Sequence, residues 1–247
     1  MVRVLPTIPP ELVVADHDEP CPYLEGQVAR RPLRFPIRKL TRAELDARLE
    51  AGDRRNGFYL YDQHCPACRA CEPLRVDALG FQPSSSQARA ARKGDRALLV
   101  EVGEPCVDDE RLALFTKHEQ GRGLSTRTEP IGAEEFTSFL VESSVPTFEL
   151  RYRLRATGEL IGVALTDRAE RSLSAVYTYY DPAHAHLSPG VFSIVTQLRL
   201  CQAWGLPWLY LGLAVQGSAR MRYKLDWFPH ERRLSGAWSR FERPQIR

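Results

Sequence analysis

The chain reads as a mixed α/β (α+β) fold, one mixed sheet with flanking helices, preceded by a cysteine-bearing N-terminal subdomain. Three observations predict it. Strand-like runs in the second half come first as an antiparallel series and then as strand–helix–strand. Segments with apolar residues at helical spacing lie between and before them. The first 95 residues carry instead Cys65-Pro66-Ala67-Cys68-Arg69-Ala70-Cys71, a C-x-x-C-x-x-C run. The expected division is 1–95 for the cysteine-cluster subdomain and 96–247 for the sheet-and-helix domain, with a soft boundary within 95–150.

Taken in order, Thr41-Arg42-Ala43-Glu44 is a capping-box pattern, with Leu40 and Leu45 spaced for a hydrophobic staple and Gly52 suited to the exit. A helix is predicted over 42–51. GFYLY at 57–61 predicts a strand that runs into the cysteines, and 74–81 a second strand. Good helix formers over 84–92 carry a basic face. Segments 108–120 and 133–142 place Leu112, Leu114 and Phe115, then Phe136, Phe139 and Leu140, at helical spacing. Strands are expected at 148–155 and 160–166 around the turn Ala156-Thr157-Gly158-Glu159, and a third at 172–180. Ser188-Pro189-Gly190 reads as an N-cap followed by proline at the first helical position. Val191, Ile194, Val195, Leu198 and Cys201 continue it as one apolar stripe. Gly205 and Pro207 stop that helix, WLYLGL at 208–213 predicts a buried strand, and a basic helical turn follows. This order is similar to the GCN5-related N-acetyltransferase (GNAT-like) fold. There a substrate enters where the last parallel pair of strands splays apart, near a helix N-terminus.

Composition sets the outer bounds. With 247 residues, 43% hydrophobic and 26% charged, the chain is ordinary globular protein and wholesale disorder is excluded. No uncharged apolar stretch approaches the ~20 residues that cross a bilayer. MVRVLPTIPPELVVADHDEP at the N-terminus lacks a continuous apolar region, so no secretory signal and a cytoplasmic place are expected. Six cysteines in that setting read as thiols or metal ligands rather than a disulfide scaffold. A net charge of +3 does not by itself argue for nucleic acid, but the local runs do more. Residues 81–96 hold Arg89, Arg92, Lys93 and Arg96 against Asp95. Residues 217–247 hold eight Lys and Arg, from Arg220 to Arg247, against three acids. Both runs suit a phosphate-binding surface, and both suit a solvated face.

Cys65, Cys68 and Cys71 bring three sulfurs to one side of a tight loop, the spacing of a tetrahedral Zn²⁺ site or an iron–sulfur cluster lacking one ligand. Cys21 is the natural fourth, with His17 and His64 in reserve. The alternative is a set of reduced thiols packing the loop. Cys201, on the apolar stripe, is expected in the core.

Seven blocks in collinear order then carry a resemblance that covers nearly the whole chain. They include Pro20-Cys21-Pro22-Tyr23-Leu24, Gln63 to Val76, Ser84-Ser85-Ser86-Gln87, SAVYTYYDP at 174–182, Leu187-Ser188-Pro189-Gly190, WLYLG at 208–212 and Met221-Arg222-Tyr223-Lys224. The set resembles the aminoacyl-tRNA–protein transferases. By size it is nearest the bacterial branch, the aspartate/glutamate leucyltransferases, which are related to eukaryotic arginyltransferases. Departures from the family pattern are Ser85, where an arginine is usual, Leu213, where an aromatic is usual, and Ala219-Arg220 before Met221.

The resemblance implies an enzyme that moves an aminoacyl group, leucine before arginine, from charged tRNA to an N-terminal Asp or Glu, marking the acceptor for N-degron proteolysis. The implied partners are aminoacyl-tRNA and acidic-N-terminus proteins, with no organic cofactor and no membrane. The ester donor is already activated and the acceptor's α-amine is the nucleophile, so positioning, proton removal and oxyanion stabilisation remain for the protein. No G-x-S-x-G elbow is present. Tyr177, Tyr179 and Asp181 are the catalytic candidates, Tyr177 and Tyr179 sharing one face of a strand and Tyr180 pointing the other way. Arg75, Arg220, Arg222, Tyr223 and Lys224 are candidates for gripping the acceptor carboxylate. Arg89, Arg92 and Lys93, with the helix N-terminus at Ser188 and Gly190, are candidates for tRNA phosphate. Two competing functions are a non-catalytic module that binds RNA or acidic N-termini, and an acyl-coenzyme A transferase. The second lacks its pyrophosphate loop, since residues 185–190 do not read R/Q-x-x-G-x-G/A.

Overall fold

The structure, a computed structural model, describes residues 3–124 and 129–244; Arg247 of the C-terminal basic run lies outside them. Five short strands open the chain: β1 (Arg3–Leu5), β2 (Glu11–Ala15), β3 (Asp18–Pro20), β4 (Val28–Arg30) and β5 (Leu33–Pro36). Helix α1 (Arg42–Ala51) is entered through the expected capping box. Thr41 Oγ1 accepts from the Glu44 amide, and the Glu44 carboxylate accepts from the Thr41 amide. Then β6 (Arg54–Asn56) and β7 (Tyr59–Tyr61) form a hairpin where the sequence predicted one strand. These strands make a five-stranded sheet, β1-β2-β5-β7-β6, with β3 paired to β4 beside it.

After the cysteine loop the chain enters a second, larger sheet. Its elements are β8 (Cys71–Asp77), α2 (Ser85–Ala97), β9 (Leu98–Gly103), α3 (Asp109–Arg122) and α4 (Ala133–Phe136) with a π-helical continuation Thr137–Val141. There follow β10 (Thr147–Leu154), β11 (Leu160–Arg168), β12 (Ser172–Tyr180), a 3₁₀ turn Pro182–Leu187, α5 (Pro189–Ala203) and β13 (Trp208–Val215). A 3₁₀ segment Ala219–Asp226 and the hairpin β14 (His230–Leu234) and β15 (Ala237–Phe241) complete it. The strand order is β15-β14-β8-β13-β12-β11-β10-β9. Strand β8 and most of helix α2 fall inside the expected 1–95 unit, yet they are built into the large sheet and its helical cover.

The predicted antiparallel series β10-β11-β12, crossover helix α5 and parallel return β13 are all present. Helices α2 and α5 cover one face over a core of Leu74, Val76, Leu173, Leu198, Cys201 and Leu209. Cys201 is fully buried there, as its place on the stripe predicts. Gly94 of α2 packs so closely on Phe192 of α5 that a Cβ would overlap the ring. The other face carries α3 on an aromatic cluster around Phe115 and Phe136. Beside it, α1 and β7 pack Leu45, Leu49 and Leu60 against Tyr210.

The parallel pairing of β12 with β13 is short, running Ser172↔Trp208, Leu173↔Leu209 and Ser174↔Tyr210. It stops where both strands are bulged. In β12 the register against β11 slips between Ala175 and Tyr177, and in β13 the register against β8 slips between Tyr210 and Gly212. A bulge bends its strand and sharpens its twist, so two bulges at the same level turn the strands apart. Gly212 sits at φ +81°, a conformation that glycine adopts without strain. The result is a split in the sheet, roofed on one side by β6 and β7.

Candidate active site in the split of the large sheet

The C-terminal halves of β12 and β13 leave unpaired inner edges facing the split. Residues reach into it from three directions. Lys224, on the 3₁₀ segment after β13, turns inward and donates to the Leu213 carbonyl at 3.0 Å. Arg54 of β6 reaches down from the roof to 3.5 Å from Ser174 Oγ. Both approach the bare backbone of Gly212. Burial, and after it the charge of Arg54, lowers Lys224 to about 7. Arg54 is likewise held below its ordinary value by burial.

Next to this point a cavity of about 530 Å³ is lined by Tyr23, Arg31, Tyr61, Phe139, Leu140 and Tyr177, among others. Tyr23 comes from the Pro20–Leu24 block, and burial with Tyr61 and Cys71 nearby pushes its hydroxyl up to about 12. The cavity joins the cysteine-bearing loops to the aromatic face of β12. At the C-terminal end of β12, His118 is buried and held low by desolvation. Its Nδ1 lies 3.0 Å from the Tyr180 carbonyl oxygen and 3.1 Å from the Tyr180 amide nitrogen. Arg122 donates to the Tyr180 hydroxyl and lies over its ring.

Several candidates are placed differently from expectation. Tyr177 and Tyr179 do share a face, but only Tyr177 lines the cavity. Tyr179 is 1% exposed, edge-on to Phe115 and Phe136, and is a core residue. Asp181 accepts from Lys117 at 2.8 Å and from the Ala183 amide at 2.9 Å, so it caps the turn after β12. Arg75 lies on a strand with neighbours on both sides, not on an edge. Its guanidinium is stacked 4.0 Å from the Trp208 ring centre and 4.2 Å from that of Trp238, and is paired with Glu231 and Glu50. Its charge is already spent inside the fold, so it is no free clamp. Arg220, Arg222 and Tyr223 stay exposed, and of that run Lys224 alone turns into the split.

The expected tRNA surface falls together on the opposite face. Arg89, Arg92 and Lys93 are exposed on α2, and among the described residues none is in an ion pair. Lys93 donates to the His186 carbonyl at 3.3 Å, which brings this basic face beside the start of α5. Ser188 does not cap α5 as predicted. It adopts φ +57° and its side chain makes no capping bond, so the first-turn amides at Gly190 and Val191 keep no side-chain partner.

The cysteines gather, but loosely. Burial and then the proximity of Cys65, Cys21 and Cys68 push Cys71 up to about 11, so the four thiols share one neighbourhood. Sulfurs on one zinc ion would stand about 4 Å apart. Among the described residues, the ligand atoms found within 4.8 Å of one another are those of Glu159, Asp181 and His184, not the sulfurs. The expected close convergence of all four is therefore not preformed. The donor set is still four soft thiols, Cys21, Cys65 and Cys68 on loops and Cys71 at the start of β8, which suits Zn²⁺ or an iron–sulfur cluster once the loops tighten.

The sequence reasoning missed Arg54, Tyr61 and Arg122. The one available signal for the first was the doublet Arg54-Arg55 beside Asn56-Gly57, and Arg55 is absorbed by Asp167 at 2.7 Å.

Known proteins match in both halves. The model of the arginine-tRNA-protein transferase N terminus matches residues 19–89, and that of its C terminus matches residues 110–234. The aspartate/glutamate leucyltransferase of Methylobacillus flagellatus is 34% identical over 218 residues, 88% of this chain and 87% of that protein. That of Aeromonas hydrophila subsp. hydrophila is 36% identical over 224 residues, 90% and 92% of the two chains. Among solved structures, L-PGS from Bacillus licheniformis overlaps 62% of this chain and 47% of its own at 13% identity, with a TM-score of 0.46. No helix of the described residues is long and apolar enough to cross a membrane. Matched in order from the cysteine blocks to the strand after the split, the chain belongs to the aminoacyl-tRNA–protein transferase family, alongside relatives named aspartate/glutamate leucyltransferase.

Proposed function

We propose that this protein transfers leucine from leucyl-tRNA to the α-amine of proteins that begin with Asp or Glu, in the cytoplasm where charged tRNA is made. The observation that carries the proposal is the likeness over about nine-tenths of the chain to proteins of that name, on a fold with a split sheet. The split supplies what aminolysis of an ester needs. The acceptor amine attacks the leucyl carbonyl, the amine's proton is lost, and the ribose hydroxyl of the tRNA leaves. Preorganised donors and a confined approach stand in for an enzymatic nucleophile. The cavity beside Tyr177, where Tyr23, Tyr61, Phe139 and Leu140 meet Glu19, Arg31 and Arg55, offers an aromatic wall for the leucyl group and polar groups beside it. The basic face of α2 and the open amides of α5 offer phosphate contacts for the tRNA.

At the cysteine loop we propose that Cys21, Cys65, Cys68 and Cys71 hold a zinc ion or an iron–sulfur cluster. Such a group ties the loop of Cys65 and Cys68 to the block that carries Tyr23, and so fixes the cavity wall. Transfer of labelled leucine from leucyl-tRNA to peptides of defined N-terminus tests the function, with arginyl-tRNA as the competing donor.

A further inference from the structure

Arg54 and Lys224 converge on one empty spot. A Cβ on residue 212 would lie 2.9 Å from Arg54 Nη2 and 3.4 Å from Lys224 Nζ, and glycine leaves that volume free. Among the described residues, Arg54 hydrogen-bonds to the Ser174 hydroxyl and Lys224 to the Leu213 carbonyl. Neither forms an ion pair among the described residues. Their arginine neighbours do: Arg55 with Asp167, Arg34 with Asp53, Arg75 with Glu231. Two largely buried cations that face each other without an ion-pair partner among the described residues cost folding stability. The charge of Arg54 disfavours that of Lys224, and burial disfavours that of Arg54. An arriving carboxylate relieves both penalties at once, accepting from the guanidinium, the ammonium and Ser174 Oγ.

We propose that Arg54, paired with Lys224 over Gly212, is the residue that selects acidic acceptors by binding the side-chain carboxylate of their first residue. This rests on the transfer function above. A tRNA phosphate is the less suitable occupant, because the spot lies under the β6 roof on the face opposite α2. An Asn or Gln side chain cannot neutralise the pair and leaves it as costly as when empty.

The test measures kcat/KM for peptides beginning with Asp, Glu, Asn and Gln at saturating leucyl-tRNA, together with leucyl-tRNA affinity. It uses the wild type, Arg54→Gln, Arg54→Lys and Lys224→Gln. Arg54→Gln is expected to lower transfer to Asp- and Glu-peptides by roughly 30-fold or more, to leave Asn-peptides nearly unchanged, and so to collapse the Asp/Asn ratio. Arg54→Lys should restore part of that ratio, and Lys224→Gln should shrink it while leucyl-tRNA affinity stays normal. Unchanged Asp/Asn ratios in both glutamine variants overturn the assignment. Equal losses for all peptides with weakened leucyl-tRNA binding also overturn it, and place the tRNA end there instead. A wild type that shows no preference for acidic N-termini overturns the transfer function itself, which is a different result.

Discussion

At the scale of single residues, Lys224 gives the sharpest expectation. With its pKa lowered to about 7, the free protein loses this charge as pH rises through neutrality. A bound carboxylate favours the ammonium, so acceptor binding takes up a proton above that point and weakens as pH rises. Calorimetric affinities from pH 6 to 9 should show the Asp-peptide losing its advantage over the Asn-peptide above about pH 7, where the α-amine contributes equally to both. Lys224→Arg should flatten that loss, and a flat wild-type difference would contradict it. Folding stability runs the other way. A folded pKa below the ordinary 10.5 means the unfolded chain holds more protons between about 7 and 10.5, so this residue's contribution to stability rises with pH across that window. Tyr179 makes the contrast: it is packed in the aromatic core. Tyr179→Ala should cost about 3–5 kcal/mol by chemical denaturation, as for other large aromatic truncations in a core. Near-native stability with lost transfer would return it to the active site.

At the scale of elements, α2 and the start of α5 are the proposed surface for tRNA. Reversing Arg89 and Arg92 to Glu should weaken leucyl-tRNA binding and make its dependence on log salt shallower, because two phosphate contacts are lost. All tRNAs should suffer alike in filter-binding titrations; loss confined to one tRNA would mean that these side chains read bases. Elements built from local signals were legible in the sequence. The capping box at Thr41 and the stripe from Ile194 to Cys201 both lie within a few residues of chain. What escaped depends on distant partners. Arg75 looked free to grip a carboxylate because Glu231 of β14, which pairs with it, comes more than 150 residues later. The strand HERRL hides its alternation behind three charged side chains, and the opening strands are too short to show a period. Arg54 acts on Gly212, and no spacing in the sequence announces that meeting.

At the scale of the whole molecule, one feature organises the rest: the large sheet splits between β12 and β13, and the small sheet roofs the split. The order of strands and helices led to the split through its similarity to a fold whose last parallel pair splays apart. It did not foretell that two bulges at one level open it, nor that the cysteine loop reaches the cavity wall through Tyr23. If a metal tightens that loop, purified protein should contain about one zinc, or iron with sulfide, per chain by elemental analysis. Cys68→Ser should lose the metal, and its absence from protein purified without chelator under reducing, anaerobic conditions would contradict the assignment.

The most direct test supplies the protein with tRNA charged with labelled leucine or labelled arginine, and with peptides that begin with Asp, Glu, Asn, Gln or Met. Leucine should appear on the α-amine of the Asp- and Glu-peptides far faster than on any of the others, and arginine should not be transferred. Arginine on the same peptides, or leucine on uncharged N-termini at an equal rate, would contradict the account.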